Sequence, residues 1–160
     1  PEGVIVGVLG DGWWMSPDAV ANPETKEFAD AYKAKYGKWP VFPAMKMANS
    51  FLYVQAAYDK AMAGNGGKWP TREEVAGAMK GSEVKTLTGT MQTRADNDGV
   101  VDQIIGVTAK ADGHDGPVIG DMVRYKGADL MPPAGEDPSA WIGTLSADLP
   151  AKLPQPGSYK

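Results

Sequence analysis

His114 is the only histidine of the chain, and it stands in Asp112-Gly113-His114-Asp115-Gly116. An imidazole flanked by two carboxylates has the parts for proton transfer or for holding a metal. A Ser-His-Asp nucleophile would have to be built through it. The setting argues against both uses. A Gly-Asp turn leaves the ring in a solvated loop, and three sequence neighbours in a flexible loop make a poor metal cage. Cysteine is absent, which removes thiol nucleophiles, disulfides and Cys-based metal sites together. Asp96-Asn97-Asp98-Gly99 has the opening of a calcium loop, but Val100 and Val107 occupy the positions where that loop needs oxygen ligands, so it reads as a turn. Gly64-Asn65-Gly66-Gly67-Lys68 has the wrong spacing for a phosphate loop and follows a helix instead of opening one. Glu24, Glu27, Glu73 and Glu74 fall near helix starts, where the dipole accounts for them. Met45 and Met47, close to Phe42, suit either a pocket wall or a core. No cofactor is implied, and no base-nucleophile constellation marks an enzyme.

The bulk properties narrow the class. The chain has 160 residues and a net charge of −4, with no basic stripe, which excludes a general nucleic-acid binder and adsorption to an anionic membrane. No apolar run approaches the ~18 residues of a spanning helix. An apolar share of 42% with five tryptophans is too rich for a disordered chain. Twenty glycines and thirteen prolines predict many turns and long irregular connections.

The elements follow from spacing. Val4 to Leu9 is a continuous, β-branched run between glycines and predicts a buried strand. Asn22-Pro23-Glu24 opens a helix: Asn22 caps, Pro23 suits the first position and Glu24 meets the positive end. Phe28, Ala31, Tyr32 and Tyr36 form its apolar stripe, and Gly37 ends it. Lys38 to Pro43 predicts an extended connector, because a residue before proline avoids the helical region. A longer helix follows over roughly 44–63. Thr71 and Glu74 make a capping box for a short helix through Met79. Residues 84–94 predict one strand, 96–99 a turn, and Val100-Val101 with Ile104 to Val107 the return strand. The proline-rich remainder predicts a tail with one short strand at 118–125 and a helical turn at 138–146.

This order is α/β. One strand before three helices is too few to finish a doubly wound sheet. The chain also opens on Pro1 almost directly before a buried strand, with no signal segment. Both features lead us to expect a piece of a longer polypeptide, with a mature protein trimmed by a peptidase as the other reading.

Several stretches carry a family pattern. Pro1-Glu2-Gly3-Val4-Ile5-Val6 resembles a strand of the type I periplasmic solute-binding proteins, the branched-chain amino-acid-binding family of ABC importers. Asn22 to Gly37, with Phe28, Tyr32 and Tyr36, resembles that family's "n-p-x-n-k-x-F-x-x-a-Y-k-a-k-y-G" helix. Ala48 to Ala61 is similar to its long helix, Thr71 to Gly81 to its "e-x-V-a-x-A-l-k-g" segment, and Thr88-Gly89-Thr90-Met91 to the strand that follows. The ordered set covers residues 1 to about 110.

The resemblance implies a two-lobed doubly wound fold that closes on a ligand, incomplete in this chain and represented by its C-terminal portion. Residues 1–10 would end lobe 2 and enter the crossover, 11–100 would supply part of lobe 1, and 101–160 would cross back to lobe 2 and form the tail. It implies a periplasmic receptor, exported by a signal segment absent from this chain, that hands a small solute (an amino acid, an amide, or a small organic or aromatic acid) to an ABC permease in the inner membrane. The alternative is a ligand-sensing domain of the same fold in a signalling or regulatory protein. The faces meant for the absent N-terminal part would be covered by that part, would drive self-association, or would stay exposed. The family's main polar ligand contacts would lie upstream of Pro1. Its ring between connector and long helix falls near Pro43, beside Phe42, Ala44 and Met45, and its "Y-d" pair falls on Ala48-Asn49. Both departures imply a solute that need not resemble leucine. Trp13 and Trp14 follow the first strand and either line the cleft mouth or pack at the hinge.

Overall fold

Helix starts and stops show how directly local chemistry sets the elements. In the computed structural model, which describes residues 1–9, 12 and 14–154, the Asn22 side chain accepts a 3.2 Å bond from the Glu24 amide. Helix α2 then runs from Pro23 to Tyr36 and stops at Gly37, whose φ of 73° only glycine adopts without strain. A one-turn helix α1, Pro17–Val20, precedes it and was not expected from the spacing. Helix α3 spans Phe42–Gly64 and α4 Arg72–Met79. The predicted capping box is present at α4: the Glu74 amide donates to Thr71 Oγ1 at 3.2 Å, and the Thr71 amide donates to Glu74 Oε2 at 2.7 Å. That bond holds the Glu74 carboxyl below its ordinary pKa.

Strand β1, Ile5–Leu9, is followed only much later by the rest of its sheet. Strands β2 (Glu83–Lys85), β3 (Thr90–Thr93) and β4 (Gly99–Val100) form one small antiparallel sheet, with Val84 opposite Met91 and Gln92 opposite Val100. Strands β5 (Gln103–Ala109) and β6 (Val118–Tyr125) join β1 in a second antiparallel sheet of order β1-β5-β6. A short 3-10 turn (Gly127–Asp129) and helices α5 (Pro138–Thr144) and α6 (Leu149–Lys152) follow.

Three expectations are corrected. Residues 84–94 are not one strand but two, because the Thr86 amide turns back onto the Gly89 carbonyl at 2.7 Å. Ile104 to Val107 is not the return strand of that hairpin: β5 pairs with β1, Ile5 facing Val107, and with β6. Phe42 and Pro43 are not connector but the first turn of α3, where a proline lacks only an amide that would have no helical acceptor.

The chain divides into two compact units, residues 1–11 with 101–160, and residues 12–100. In the second, α3 buries Met45, Asn49, Tyr53, Ala57 and Ala61 along one face. Ala57 and Ala61 pack with Val75 and Ala78 of α4. In the first, Ile104, Val118 and Val123 form the buried side of the sheet. A bulge on β6 places Asp121 and Met122 opposite Gly106 alone, and Asp121 takes a φ of 46°. A Cβ on Gly106 would lie 2.5 Å from the Gly120 carbonyl oxygen, so the bulge and the glycine require each other.

Candidate functional site

The expected wall residues lie on the first turn of α3. This 23-residue helix is entered through Val41, whose side chain offers no cap, and its first turn holds no acidic residue. In contrast α2 is capped by Asn22, α4 by Thr71 and α5 by Asp137. The positive end of this helix therefore carries no acidic residue of its own first turn. Phe42 is 44% exposed and Pro43 is exposed, whereas Ala44 is half-buried. Met45 is fully buried and packs the interior of its unit, so it offers no side-chain surface to solvent.

Of the two tryptophans, Trp13 lies outside the described residues. Trp14 stacks on Trp39 at a centroid distance of 4.6 Å and an interplanar angle of 22°. The Lys33 ammonium sits 4.1 Å from the Trp39 ring centre. Both rings are half-buried, and the stack ties the segment before α1 to the connector between α2 and α3.

A polar network that the sequence reading did not single out fixes the same unit. Asn49, buried on α3, donates to Thr88 Oγ1 at 2.7 Å and accepts from the Leu87 amide at 3.2 Å. The Thr25 hydroxyl donates to the Leu87 carbonyl, and Asn22 Nδ2 donates to the same oxygen at 3.1 Å. Further along α3, the Tyr53 hydroxyl meets the Met79 carbonyl at 3.0 Å, Ser82 Oγ at 2.6 Å and Thr93 Oγ1 at 2.7 Å. These bonds clamp the 86–89 turn and the start of the small sheet onto two helices. Nothing in the apolar spacing of the helix marked Asn49, whose partners lie nearly 40 positions away.

His114 lines a cleft in the other unit together with Pro1, Glu2 and the segment 110–117. Among the described residues, no three His, Cys, Asp or Glu side chains converge as a metal site. Nor, among those residues, is any helix long and apolar enough to cross a membrane.

No protein-family model and no curated protein matches the sequence. Solved structures do match by shape. One is an ABC-type branched-chain amino acid transporter protein from Rhodopseudomonas palustris, with a TM-score of 0.63 and 16% identity over 84% of this chain and 34% of that one. A second is a solute-binding protein of an ABC transporter from Rhodopseudomonas palustris in complex with 3,4-dihydroxybenzoic acid, with a TM-score of 0.57 and 23% identity over 78% of this chain and 31% of that one. A third is a leucine-binding protein from Thermotoga maritima, with a TM-score of 0.52 and 21% identity over 76% of this chain and 31% of that one. The chain thus spans about a third of the length of each of these structures. Its α/β fold is that of part of a type I periplasmic binding protein.

Proposed function

We propose that this chain is the C-terminal portion of the substrate-binding component of an ABC importer. The observation that carries the reading is the shared fold over 84% of the chain with a branched-chain amino acid transporter protein. On this reading residues 1–10 and 101–160 belong to one lobe and 11–100 to the other. The complete protein works in the periplasm, closes its lobes on a small solute and presents it to a permease in the inner membrane. Binding acts through differential affinity: the solute stabilises the closed arrangement more than the open one. Nothing in this mechanism calls for bond-making chemistry.

Phe42, Pro43 and Ala44 are the proposed apolar wall, with Met45 behind them as their support, and Trp14 is the proposed lining of the cleft mouth. An apolar wall beside a helix start whose first turn holds no acidic residue suits a small acid: the wall supplies shape and the amide end meets the carboxylate. The similar structure that holds 3,4-dihydroxybenzoic acid makes aromatic acids the first class to try.

The test is a thermal-shift panel on the complete receptor with aromatic acids, aliphatic amino acids and amides. A solute at 100 times its Kd raises stability by about 2.7 kcal/mol, which moves the midpoint by several degrees. Phe42→Ala should weaken the stabilising solute by roughly tenfold, read by calorimetry. No shift with any class at millimolar concentration would sink the receptor reading.

A further inference from the structure

The chain has four asparagines, and they differ in the backbone nitrogen that follows each. That nitrogen can attack the side-chain amide when it is unbonded and unshielded. Asn22 precedes Pro23, which has no amide hydrogen to give up. Asn49 is buried inside α3, and both ends of its side chain are bonded. After Asn97, the Asp98 amide is bonded to Asp96 Oδ1 at 3.3 Å. Asn65 alone is followed by glycine, and the Gly66 amide meets no acceptor among the described residues. Gly66 is exposed, and a Cβ built on it would meet nothing within 4 Å, so nothing shields its nitrogen. The Asn65 side chain is loosely held: Nδ2 donates to Glu74 Oε2 at 3.4 Å, and Oδ1 is buried without a partner among the described residues.

We propose that Asn65 is a site of spontaneous modification, converting through a cyclic imide with Gly66 to aspartate and isoaspartate, and that the product loosens the junction of α3 with α4. The Gly66 nitrogen gives its proton to hydroxide and bonds to Asn65 Cγ. The bond from Cγ to Nδ2 breaks, and ammonia leaves with a proton from water. Water then opens the ring: breaking the new bond gives aspartate, and breaking the original peptide bond gives isoaspartate. In sum one water is consumed and one ammonia released, with no change of oxidation state. Attack needs rotation about the bond that holds Asn65 at a ψ of 20°, which breaks the helix-closing bond from the Gly67 amide to the Met62 carbonyl at 2.8 Å. Fraying of a helix end supplies that rotation at low cost. The product is worse placed than the asparagine. An aspartate in the same pose sets one oxygen against Glu74 Oε2 and leaves the other in the buried position that has no donor. It also adds negative charge at the negative end of a 23-residue helix. Glu74 closes the capping box of α4, so the disturbance reaches the start of the next helix.

The 160-residue chain is incubated in warm, mildly alkaline buffer, and the masses of its peptides are followed. The peptide with residue 65 should gain about 1 Da, an NH2 having become OH. It should do so at least roughly tenfold faster than the peptides with residues 22, 49 and 97, whose cyclisation is blocked or needs wider opening. The rate should rise with pH, because the attacking nitrogen must lose its proton. Asn65→Gln, which would have to form a larger ring, should keep the fold and lose the gain. Asn65→Asp should lower the thermal midpoint by roughly 2–4 °C, and by less beside Glu74→Gln, which keeps the capping box without the charge. Conversion no faster at 65 than at 97 would overturn the proposal. So would a product holding aspartate but no isoaspartate, the mark of direct hydrolysis. An unchanged midpoint for Asn65→Asp would overturn the claim that the product loosens the junction.

Discussion

The two units are held by different means. Residues 12–100 depend on a few side chains that reach far along the chain: Asn49 to Leu87 and Thr88, Thr25 to Leu87, Tyr53 to Met79, Ser82 and Thr93. Residues 1–11 and 101–160 depend on backbone register and on close approaches that only glycine permits. There β1 pairs with β5 over five residues, and β5 with β6 across a bulge. Gly127 sits where a Cβ would lie 2.4 Å from the Val101 carbonyl oxygen. Side chains contribute as well: Asp102 accepts from the Gly127 amide at 2.8 Å and from Arg124 Nη1 at 3.0 Å, and Thr108 Oγ1 accepts from the Val4 amide at 2.9 Å. The difference teaches where each unit is vulnerable. The helical unit fails when a buried side chain loses its partner, and the sheet unit fails when a backbone is pushed off another.

The largest effect is expected at Met45. Aspartate there would place a charge with no counterion in a site of zero exposure, and the loss should exceed ~4 kcal/mol. Far-UV circular dichroism should show the helical unit unfolded at ambient temperature. Phe51→Asp, on the exposed side of the same helix, should change the stability of the same 160-residue chain by no more than ~0.5 kcal/mol. Equal effects at 45 and 51 would break the assignment of faces on α3. In the sheet unit, Gly127→Ala should cost about 3 kcal/mol, since the colliding atoms are backbone and cannot rotate away. Hydrogen exchange should locate that loss at Asp102, β6 and the following 3-10 turn. An unchanged exchange pattern would show that the turn has room the geometry does not suggest.

These two sites also mark how far sequence reasoning reached. The caps of α2 and α4 were legible because each is settled within three residues: Asn22 with Glu24, Thr71 with Glu74. The strand over 118–125 was legible from its own run of residues. The split of 84–94 into β2 and β3 was not, because the turn between them is held by Asn22, Thr25 and Asn49, some 40 to 65 positions away. The partner of β1 was hidden for the same reason: Ile5 faces Val107, and a strand pattern names a face but no neighbour. At the candidate wall the reading turned on a boundary. The spacing predicts a connector through Pro43 with the helix from about 44; with the helix starting at Phe42, Phe42 faces out of its first turn and Met45 faces in. The wall itself came from resemblance, since an apolar quartet has no chemistry that separates pocket from core.

A middle-sized effect sharpens the claim about side-chain links. Asn49→Ala removes the acceptor for the buried Leu87 amide and the donor to Thr88. An unsatisfied buried amide costs about 1–3 kcal/mol, so a chemical-denaturation midpoint should fall accordingly. The Leu87 amide should lose its exchange protection while β5 and β6 keep theirs. Tyr53→Phe should cost less, about 1 kcal/mol, because Ser82 retains its own bond to Met79 at 2.7 Å. A larger loss at Tyr53 than at Asn49 would move the principal link from the 86–89 turn to the small sheet.

The smallest expected effect is electrostatic and has a definite sign. The Arg94 guanidinium bonds Asp96 at 3.1 Å and 2.5 Å and reaches Asp98 at 3.2 Å, closing the turn before β4. The Arg94 bond holds the Asp96 carboxyl below its ordinary pKa. The folded turn therefore binds fewer protons than the unfolded chain in that range, so its contribution rises with pH. It is complete above the ordinary carboxylate value of about 4 and fades as pH falls through the lowered folded value. Glu74 behaves the same way at the start of α4, with the Thr71 amide in place of the guanidinium. A carboxyl-detected NMR titration should find Asp96 and Glu74 titrating below the exposed carboxylates of the chain. Arg94→Gln should return Asp96 toward the ordinary value and leave Glu74 where it was. If both carboxyls moved together, a charge field common to the unit would be lowering them, and the view of unit 12–100 as a set of separate side-chain links would have to give way.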